Sequence, residues 1–245
     1  MGTPQTEFLY GIADSTTPQN QESLDGAISE LSLVSIGRPL QSWRYQFVKR
    51  VIDVVGAAFL LMVLVVPCFL IAIAIVMTSR GPIFYREIRI GRGGRPFEIL
   101  KFRSMRQRRK GRKRVEGVHA AHITFRWRTH KDTPDPRVTA VGKFIRRWSI
   151  DEVPQLINVL RGEMSLIGPR PVVEAEVEMY GRFRLYYLAA TPGLSGLWQV
   201  SGRSNVSFGT RAKLDATYVR QWSLRRDFFI LLRTVPAVLG RVGAR

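Results

Sequence analysis

An uncharged run of 24 residues, from Val54 to Met77, decides where this chain can fold. A helix needs about 20 apolar residues to cross the hydrocarbon core of a bilayer, so the run is long enough to enter a membrane. A buried core helix of this length would be unusual in a chain of 245 residues. We therefore expect residues 44–80 to form a membrane-inserted helix.

Basic residues flank this run on both sides, whereas a simple span carries them mainly on its cytoplasmic side. The symmetry indicates that both ends of the helix face the cytoplasm. The flanking residues are Arg44, Lys49 and Arg50 before the run, and Arg80, Arg86, Arg89, Arg92 and Arg95 after it.

Pro67 falls in the middle of the run, where its missing N–H and its ring disfavour a regular helix. The halves on either side, 54–66 and 68–77, would be about 20 Å and about 15 Å long. Neither covers the roughly 30 Å of hydrocarbon. The sequence thus favours a re-entrant helix broken at Pro67, and a kinked span is the alternative.

The rest of the chain predicts an α+β fold that is mainly helical. Residues 1–43 are polar and are expected to form a disordered tail, and residues 81–245 a domain on the cytoplasmic face. Short alternating segments around Gly91, Gly93 and Gly94 predict a small β-hairpin. Helices are expected over 139–148, 151–160 and 208–222, and an amphipathic helix at the membrane interface over 227–239.

The net charge of +19 and the pI near 11.2 point to anionic partners. Nine of the fourteen residues in 101–114 are Lys or Arg, and the basic loop 106–134 would bind anionic lipid headgroups with about 1 kcal/mol per charge. Nucleic acid is not an expected partner, because no recognisable nucleic-acid-binding motif is present. Cys68 is the single cysteine, and the three histidines (His119, His122 and His130) are typical of a solvated loop.

Two neighbouring acids, Asp151 and Glu152, form the centre of the candidate site. With Asp151 as the N-cap, Pro154 falls at the third helical position and costs no backbone bond. Capping alone would explain such an acid. The turn Gly168–Pro171 adds Arg170 on a backbone fixed by two prolines, and arginine binds phosphate through two hydrogen bonds. This grouping favours a site for a metal ion and phosphates.

From about Lys49 to Leu239 the chain resembles the bacterial sugar transferases, also called monotopic phosphoglycosyl transferases. The resemblance rests on six motifs in one order, and the segments GPRPVVEAEVEMYG and QWSL look most like the members that initiate exopolysaccharide synthesis with galactose 1-phosphate. The motifs are KRVIDVVGA, GPIFYREIRIG, FEILKFRSM, DPRVTAVGKFIRR, SIDEVPQLINVLRGEMSLIGPRP and TPGLSGLWQVSGRS.

The resemblance implies a two-step transfer at the cytoplasmic face of the bacterial inner membrane. Asp151 would attack the β-phosphate of a UDP-sugar, release UMP and hold the sugar phosphate covalently, and undecaprenyl phosphate would then accept it. Mg²⁺ would bind Glu152. The residues implied for substrate phosphates and the surrounding pocket are Arg146, Arg170, Lys101, Arg203, Gln199 and Asp215.

The sequence is compatible with other sugars, with a homodimer and with one other class of protein. The sugar could be glucose or an acetamido sugar instead of galactose. The chain could form a homodimer. A different class of protein, a membrane-tethered scaffold that binds anionic polymers through the basic loop, would also suit the charge.

Overall fold

A computed structural model describes residues 42–106, 135–202 and 206–239 of the chain. The expected tail up to residue 41, most of the basic loop, the three histidines and Arg203 lie outside these ranges. The helices are α1 (Trp43–Thr78), α2 (Ala140–Arg147), α3 (Gln155–Arg161), α4 (Glu174–Met179), α5 (Arg184–Ala189), α6 (Leu197–Val200), α7 (Phe208–Arg220) and α8 (Leu224–Leu239), and the strands are β1 (Phe84–Ile90), β2 (Pro96–Phe102), β3 (Ser165–Ile167) and β4 (Gly193–Ser195).

The apolar helix α1 is long and apolar enough to cross a bilayer, and most of its side chains are exposed. It continues through Pro67 as one helix, so the predicted break at Pro67 is wrong. Proline removes one backbone bond, here to the carbonyl of Val63, while the bonds on either side persist. A helix can bend at such a residue without ending.

The folded domain holds α1 near its beginning through three polar side chains. Lys49 Nζ donates to the carbonyl of Ile167 at 3.1 Å and to Asp227 Oδ2 at 2.6 Å. Arg50 donates to the carbonyls of Val159 and Leu160 at the end of α3. Asp53 is buried, and its Oδ1 accepts from the backbone N–H of Leu166 at 2.9 Å.

The end of α1 is held by the same domain. Arg103, which is buried, donates to the carbonyl of Ser79 at 2.6 Å and to that of Ile75 at 3.3 Å. The Ser79 carbonyl lies beyond the last intrahelical bond of α1, whereas the Ile75 carbonyl also accepts from the Ser79 N–H at 3.1 Å. Both ends of α1 are therefore anchored on one domain.

The predicted β-hairpin is confirmed, with β1 and β2 antiparallel from the pair Phe84–Phe102 to the pair Ile90–Pro96. A second, shorter sheet is parallel and joins β3 to β4 through the pairs Ser165–Gly193 and Ile167–Ser195. The remainder of the described chain is mostly helical, as expected. The parallel sheet joins two segments that are distant in sequence.

Three apolar clusters hold the helices together, and their members come from α1, the hairpin and the domain helices. The main cluster packs α1 against α3, α7 and α8, with Leu156, Val159, Tyr218, Trp222 and Ile230 among its buried residues. A second cluster includes Val172, Tyr180, Tyr187 and Leu188. The third joins Ile75, Phe102 and Ile145.

The helix predicted over 151–160 begins later than expected. Residues Ile150–Glu152 form a 3-10 turn, and the α-helix starts at Gln155 with Pro154 at the N-cap position. Asp151 is thus not the helix cap. Proline still lies where its missing N–H costs no bond, but the helix register is shifted along the chain. By contrast, α2 covers Ala140–Arg147 with Thr139 as its N-cap, within one residue of the predicted helix 139–148 at each end.

Candidate functional site

The acid pair lies on the 3-10 turn between α2 and α3. Ser149, directly before this turn, has a left-handed backbone with φ of 56° and is the one non-glycine residue with positive φ in the described ranges. Such a conformation is costly for a residue with a β-carbon and is found preferentially at functional sites. It reverses the chain after α2 and brings Asp151 and Glu152 beside β2.

Glu152 forms ion pairs with two cations of the site, Lys101 and Arg170. Its Oε1 accepts from Lys101 Nζ at 2.9 Å and from an Arg170 Nη at 3.1 Å. Burial alone would raise the pKa of this carboxyl, but the two cations more than offset it and hold the pKa well below its usual range. Glu152 in turn raises the pKa of Arg170. This triad joins the hairpin, the acid pair and the Gly-Pro-Arg-Pro turn.

The pKa of Asp151 is shifted in the opposite direction to that of Glu152. Burial, and after it the negative charge of Glu152, raise the pKa of the Asp151 carboxyl to about 6, although Lys101, Arg146 and Arg170 act to lower it. A carboxylate that is desolvated but surrounded by cations is a candidate nucleophile or base. Near neutral pH it is mostly ionised.

Arg146 completes the positive side of the site from α2. Its Nε donates to the hydroxyl of Ser104 at 2.8 Å. The backbone of Ser104 approaches α2 so closely that a β-carbon at Gly142 would lie 1.9 Å from the Ser104 carbonyl oxygen. Gly142 therefore permits the approach that lets Ser104 orient Arg146.

The turn that carries Arg170 is fixed by close backbone packing against β4. The N–H of Gly168 donates to the carbonyl of Ser195 at 2.8 Å, and the N–H of Gly193 donates to that of Pro169 at 2.7 Å. A β-carbon at Gly193 would lie 2.0 Å from the backbone nitrogen of Gly168. No side chain fits at this contact.

The acid pair suits a magnesium ion that substrate phosphates help to hold. Both cations contact the same oxygen of Glu152, Oε1, so its other oxygen can face a metal ion. Within the described ranges no group of three acidic, His or Cys side chains could hold a metal by itself. Mg²⁺ is commonly bound by one or two carboxylates together with phosphate oxygens and water, so the residues fit.

The structure brings five predicted site residues together: Asp151, Glu152, Arg146, Arg170 and Lys101. Two others form their hydrogen bonds outside this group, although the charge of Arg170 still acts on Asp215. Asp215 is 1% exposed and accepts a hydrogen bond from the hydroxyl of Tyr180 at 2.8 Å. Gln199 donates to the carbonyl of Leu194 at 3.0 Å.

Sequence reasoning missed two further residues, Ser104 and Arg211. Ser104 follows the hairpin in the segment FRSM, where a lone hydroxyl gives no signal of a bond to α2. Arg211 donates to the backbone carbonyl of Arg170 at 3.4 Å and lies in a helix that predicts only a polar surface. Both act across segments far apart in sequence, which spacing cannot show.

The site lies directly on an apolar layer that is continuous with the second half of α1. Phe102, Ile145 and Ile150 belong to this layer, and each is the sequence neighbour of one site residue: Lys101, Arg146 and Asp151 respectively. Cys68, Ile71, Ala72 and Ile75 of α1 pack against the same layer. The charged groups are therefore only one residue removed from apolar contacts with the membrane helix.

A helical domain anchored on an exposed apolar helix, with an acid pair facing three cations, defines a membrane-associated protein with a charged candidate site beside that helix. Residues 44–241 match the family of bacterial sugar transferases. The chain belongs to this family, which confirms the resemblance noted from its motifs and the predicted class of enzyme, a transferase.

Three relatives illustrate the range of similarity. The chain is 44% identical over 218 residues to the UDP-galactose-lipid carrier transferase of Erwinia amylovora, covering 88% of this chain and 45% of that protein. It is 47% identical over 194 residues to the exopolysaccharide production protein ExoY of Rhizobium meliloti, covering 78% and 84%. It is 40% identical over 222 residues to the UDP-glucose:undecaprenyl-phosphate glucose-1-phosphate transferase of Caulobacter vibrioides, covering 87% and 78%.

Proposed function

We propose that this protein transfers a sugar 1-phosphate from a UDP-sugar to undecaprenyl phosphate and so initiates an exopolysaccharide repeat unit. The observation that carries the proposal is the position of Asp151, a desolvated carboxyl beside the anchored Glu152 and facing Lys101, Arg146 and Arg170. A relative from Salmonella typhimurium, 41% identical over 218 residues, is named undecaprenyl-phosphate galactose phosphotransferase. Its name supports both the acceptor and the reaction.

In the first half-reaction, a carboxylate oxygen of Asp151 attacks the β-phosphorus of the UDP-sugar. The bond from that phosphorus to the bridging oxygen breaks, its electron pair leaves with UMP, and the sugar phosphate remains on Asp151. Arg170 and Arg146 offset the charge that builds up on the phosphate oxygens, which is worth several kcal/mol at a partly dehydrated site. Lys101 keeps Glu152 ionised and in place.

In the second half-reaction, a phosphate oxygen of undecaprenyl phosphate attacks the same phosphorus. The bond to Asp151 breaks, and the carboxylate is regenerated. Splitting one displacement into two allows one acid to serve a water-soluble donor and a lipid acceptor in turn. Because the apolar layer under the site continues into α1, a lipid phosphate can approach without leaving the membrane surface.

Mg²⁺ bound by Glu152 would neutralise the diphosphate and strengthen UMP as a leaving group. Galactose is the sugar we favour, because the relatives from Erwinia amylovora and Salmonella typhimurium carry it in their names. The Caulobacter vibrioides relative is named for glucose, and glucose is the second candidate.

We also propose that α1 is re-entrant, with both ends at the cytoplasmic face of the inner membrane. Leu60 and Leu61 still pack against the main apolar cluster, and Cys68 already packs against the layer under the site. The stretch between them, 62–67, would be about 9 Å long as a straight helix. This is far short of the roughly 30 Å of hydrocarbon that a span must cross, and it supports re-entry.

The decisive experiment measures UMP release from UDP-galactose and UDP-glucose by purified protein in detergent. We expect release that depends on Mg²⁺ and is lost, by at least about 1,000-fold, in Asp151→Asn, because the amide is not a nucleophile. Exposed Lys143→Gln on α2 serves as the control and should keep wild-type activity. Turnover retained in Asp151→Asn would exclude Asp151 as the nucleophile. If function is lost only when the charges of 108–114 are removed, the protein is instead a membrane-tethered scaffold that binds anionic polymers.

A further inference from the structure

We propose that Arg211, paired with the buried Asp215, is a positioning residue that fixes Arg170 toward Glu152. The inference rests on the proposed function, because it assumes that Arg170 binds substrate phosphate. Arg211 is 2% exposed, so it has no access to substrate itself. It acts through the backbone of the turn that carries Arg170.

Four consecutive carbonyls of this turn each accept a hydrogen bond from a different donor. The N–H of Gly193 donates to the carbonyl of Pro169 at 2.7 Å, and the N–H of Ile90 donates to the carbonyl of Val172 at 2.9 Å. The two carbonyls between them accept from side chains. Arg211 donates to the carbonyl of Arg170 at 3.4 Å, and Arg89 donates to the carbonyl of Pro171 at 3.4 Å. Backbone strands thus hold the two ends of the turn, and arginines hold its centre.

The position of Arg211 is itself fixed from several sides. Its guanidinium carbon lies 4.9 Å from the ring centre of Trp198 and 5.5 Å from that of Phe208, distances typical of cation–π contacts. Its Nε is 3.8 Å from Asp215 Oδ2, which also accepts from the hydroxyl of Tyr180 at 2.8 Å. The pair therefore places one side-chain donor at a defined point inside the domain.

Stability alone does not explain a buried ion pair here. Replacing such a pair by apolar side chains of similar volume is often neutral or stabilising, because both charges lose their hydration. What an apolar side chain cannot supply is a donor to the carbonyl of Arg170. The same residue, at the other end of its side chain, contacts Glu152 at 3.1 Å. A displacement of the turn would be transmitted directly to this contact.

A double-mutant cycle with Arg211→Lys and Arg170→Ala tests the coupling. Lysine keeps the positive charge beside Asp215 but loses the planar fork. We expect Arg211→Lys to lower the kcat of UMP release about tenfold in the wild-type background, since small misplacements of a phosphate-binding group are costly. In the Arg170→Ala background it should change kcat by less than about twofold, because residues that act through one another are not additive.

Arg50→Lys is the matched control, because Arg50 also donates to backbone carbonyls but at the end of α3. Its effect should be the same in both backgrounds. Hydrogen exchange of a peptide covering 168–173 gives a readout without activity and should become several-fold faster in Arg211→Lys. If Arg211→Lys does not fold, Asp215→Asn and Tyr180→Phe enter the same cycle.

An equal loss in both backgrounds, or no loss in the wild-type background, would overturn the positioning role. Wild-type protein that releases no UMP from any UDP-sugar would instead refute the proposed function. In that case the exchange of 168–173 still decides whether Arg211 holds the turn.

Discussion

Asp151 and Glu152 are neighbours in sequence, yet the structure shifts their pKa values in opposite directions. The difference arises because Lys101 and Arg170 contact Glu152 directly, while they act on Asp151 only from a distance. Two acids with pKa values pushed apart can take two roles. Glu152 is suited to stay ionised as a ligand and anchor, and Asp151 to form and release a bond to phosphorus.

The buried carboxyl of Asp215 makes the stability of the fold depend on pH. Burial raises its pKa to about 7, although Arg211 and Tyr180 act to lower it. The folded state therefore binds more protons than the unfolded state between the ordinary aspartate pKa of 3.8 and about 7, and stability falls as pH rises through this window. We expect the Tm of the wild type to decrease from pH 5 to pH 8 relative to that of Asp215→Asn.

Thermal unfolding in detergent at several pH values measures this difference. The comparison concerns slopes, because Asp215→Asn also removes the ion pair with Arg211 and can shift Tm by a constant amount. A wild-type slope equal to that of the variant would show that Asp215 does not titrate in this range.

The candidate site residues can be named from the sequence, but their pKa shifts cannot. The motifs name Asp151, Glu152 and Arg170 without any structure. The difference between the pKa values of the two acids depends on Lys101. This residue lies 51 positions before Glu152 and contacts it from the hairpin. Only the packing of β2 against the acid pair reveals that contact.

Secondary structure follows from the sequence where one segment alone determines it. The hairpin around Gly91–Gly94 follows from local turn chemistry, and α2 follows from the helical spacing of its apolar residues. The predicted start of α3 at Asp151 is wrong. Ser149, just before the 3-10 turn, adopts a left-handed backbone that local preference disfavours. Pro67 did not end α1 either, since the bonds on both sides of a proline can maintain a helix.

The topology of α1 can be tested by labelling single cysteines at the exposed positions 44 and 86 in a background where Cys68 is replaced by Ser. For a re-entrant helix, we expect a membrane-impermeant reagent to label neither position in intact spheroplasts and both positions in inverted vesicles. Periplasmic labelling of one position alone would show that α1 spans the membrane. A cysteine at exposed position 213 on α7 provides the cytoplasmic reference.

At the scale of the whole molecule, α8 adds a second apolar surface to that of α1. Ile230 is buried in the main cluster, and the hydroxyls of Thr234 and Ser195 are hydrogen-bonded at 2.7 Å. The opposite side of α8 exposes large apolar side chains to the surroundings. These are Phe228, Phe229, Leu231, Leu232 and Val235. Asp227 at the beginning of α8 binds Lys49 of α1, so the two helices are joined near the start of each.

The exposed side of α8 should orient the domain on the membrane rather than attach it, because α1 is by itself long and apolar enough to hold the protein there. We expect Phe228→Ser combined with Leu232→Ser to slow transfer to undecaprenyl phosphate about tenfold or more, since each apolar side chain contributes roughly 1.5–3 kcal/mol when buried. UMP release should stay within about twofold of wild type, because UDP-sugars arrive from water. Met179→Ser removes an exposed apolar side chain from α4 and should leave both half-reactions unchanged. Equal loss of both half-reactions in the α8 variant would instead indicate a structural role for this surface.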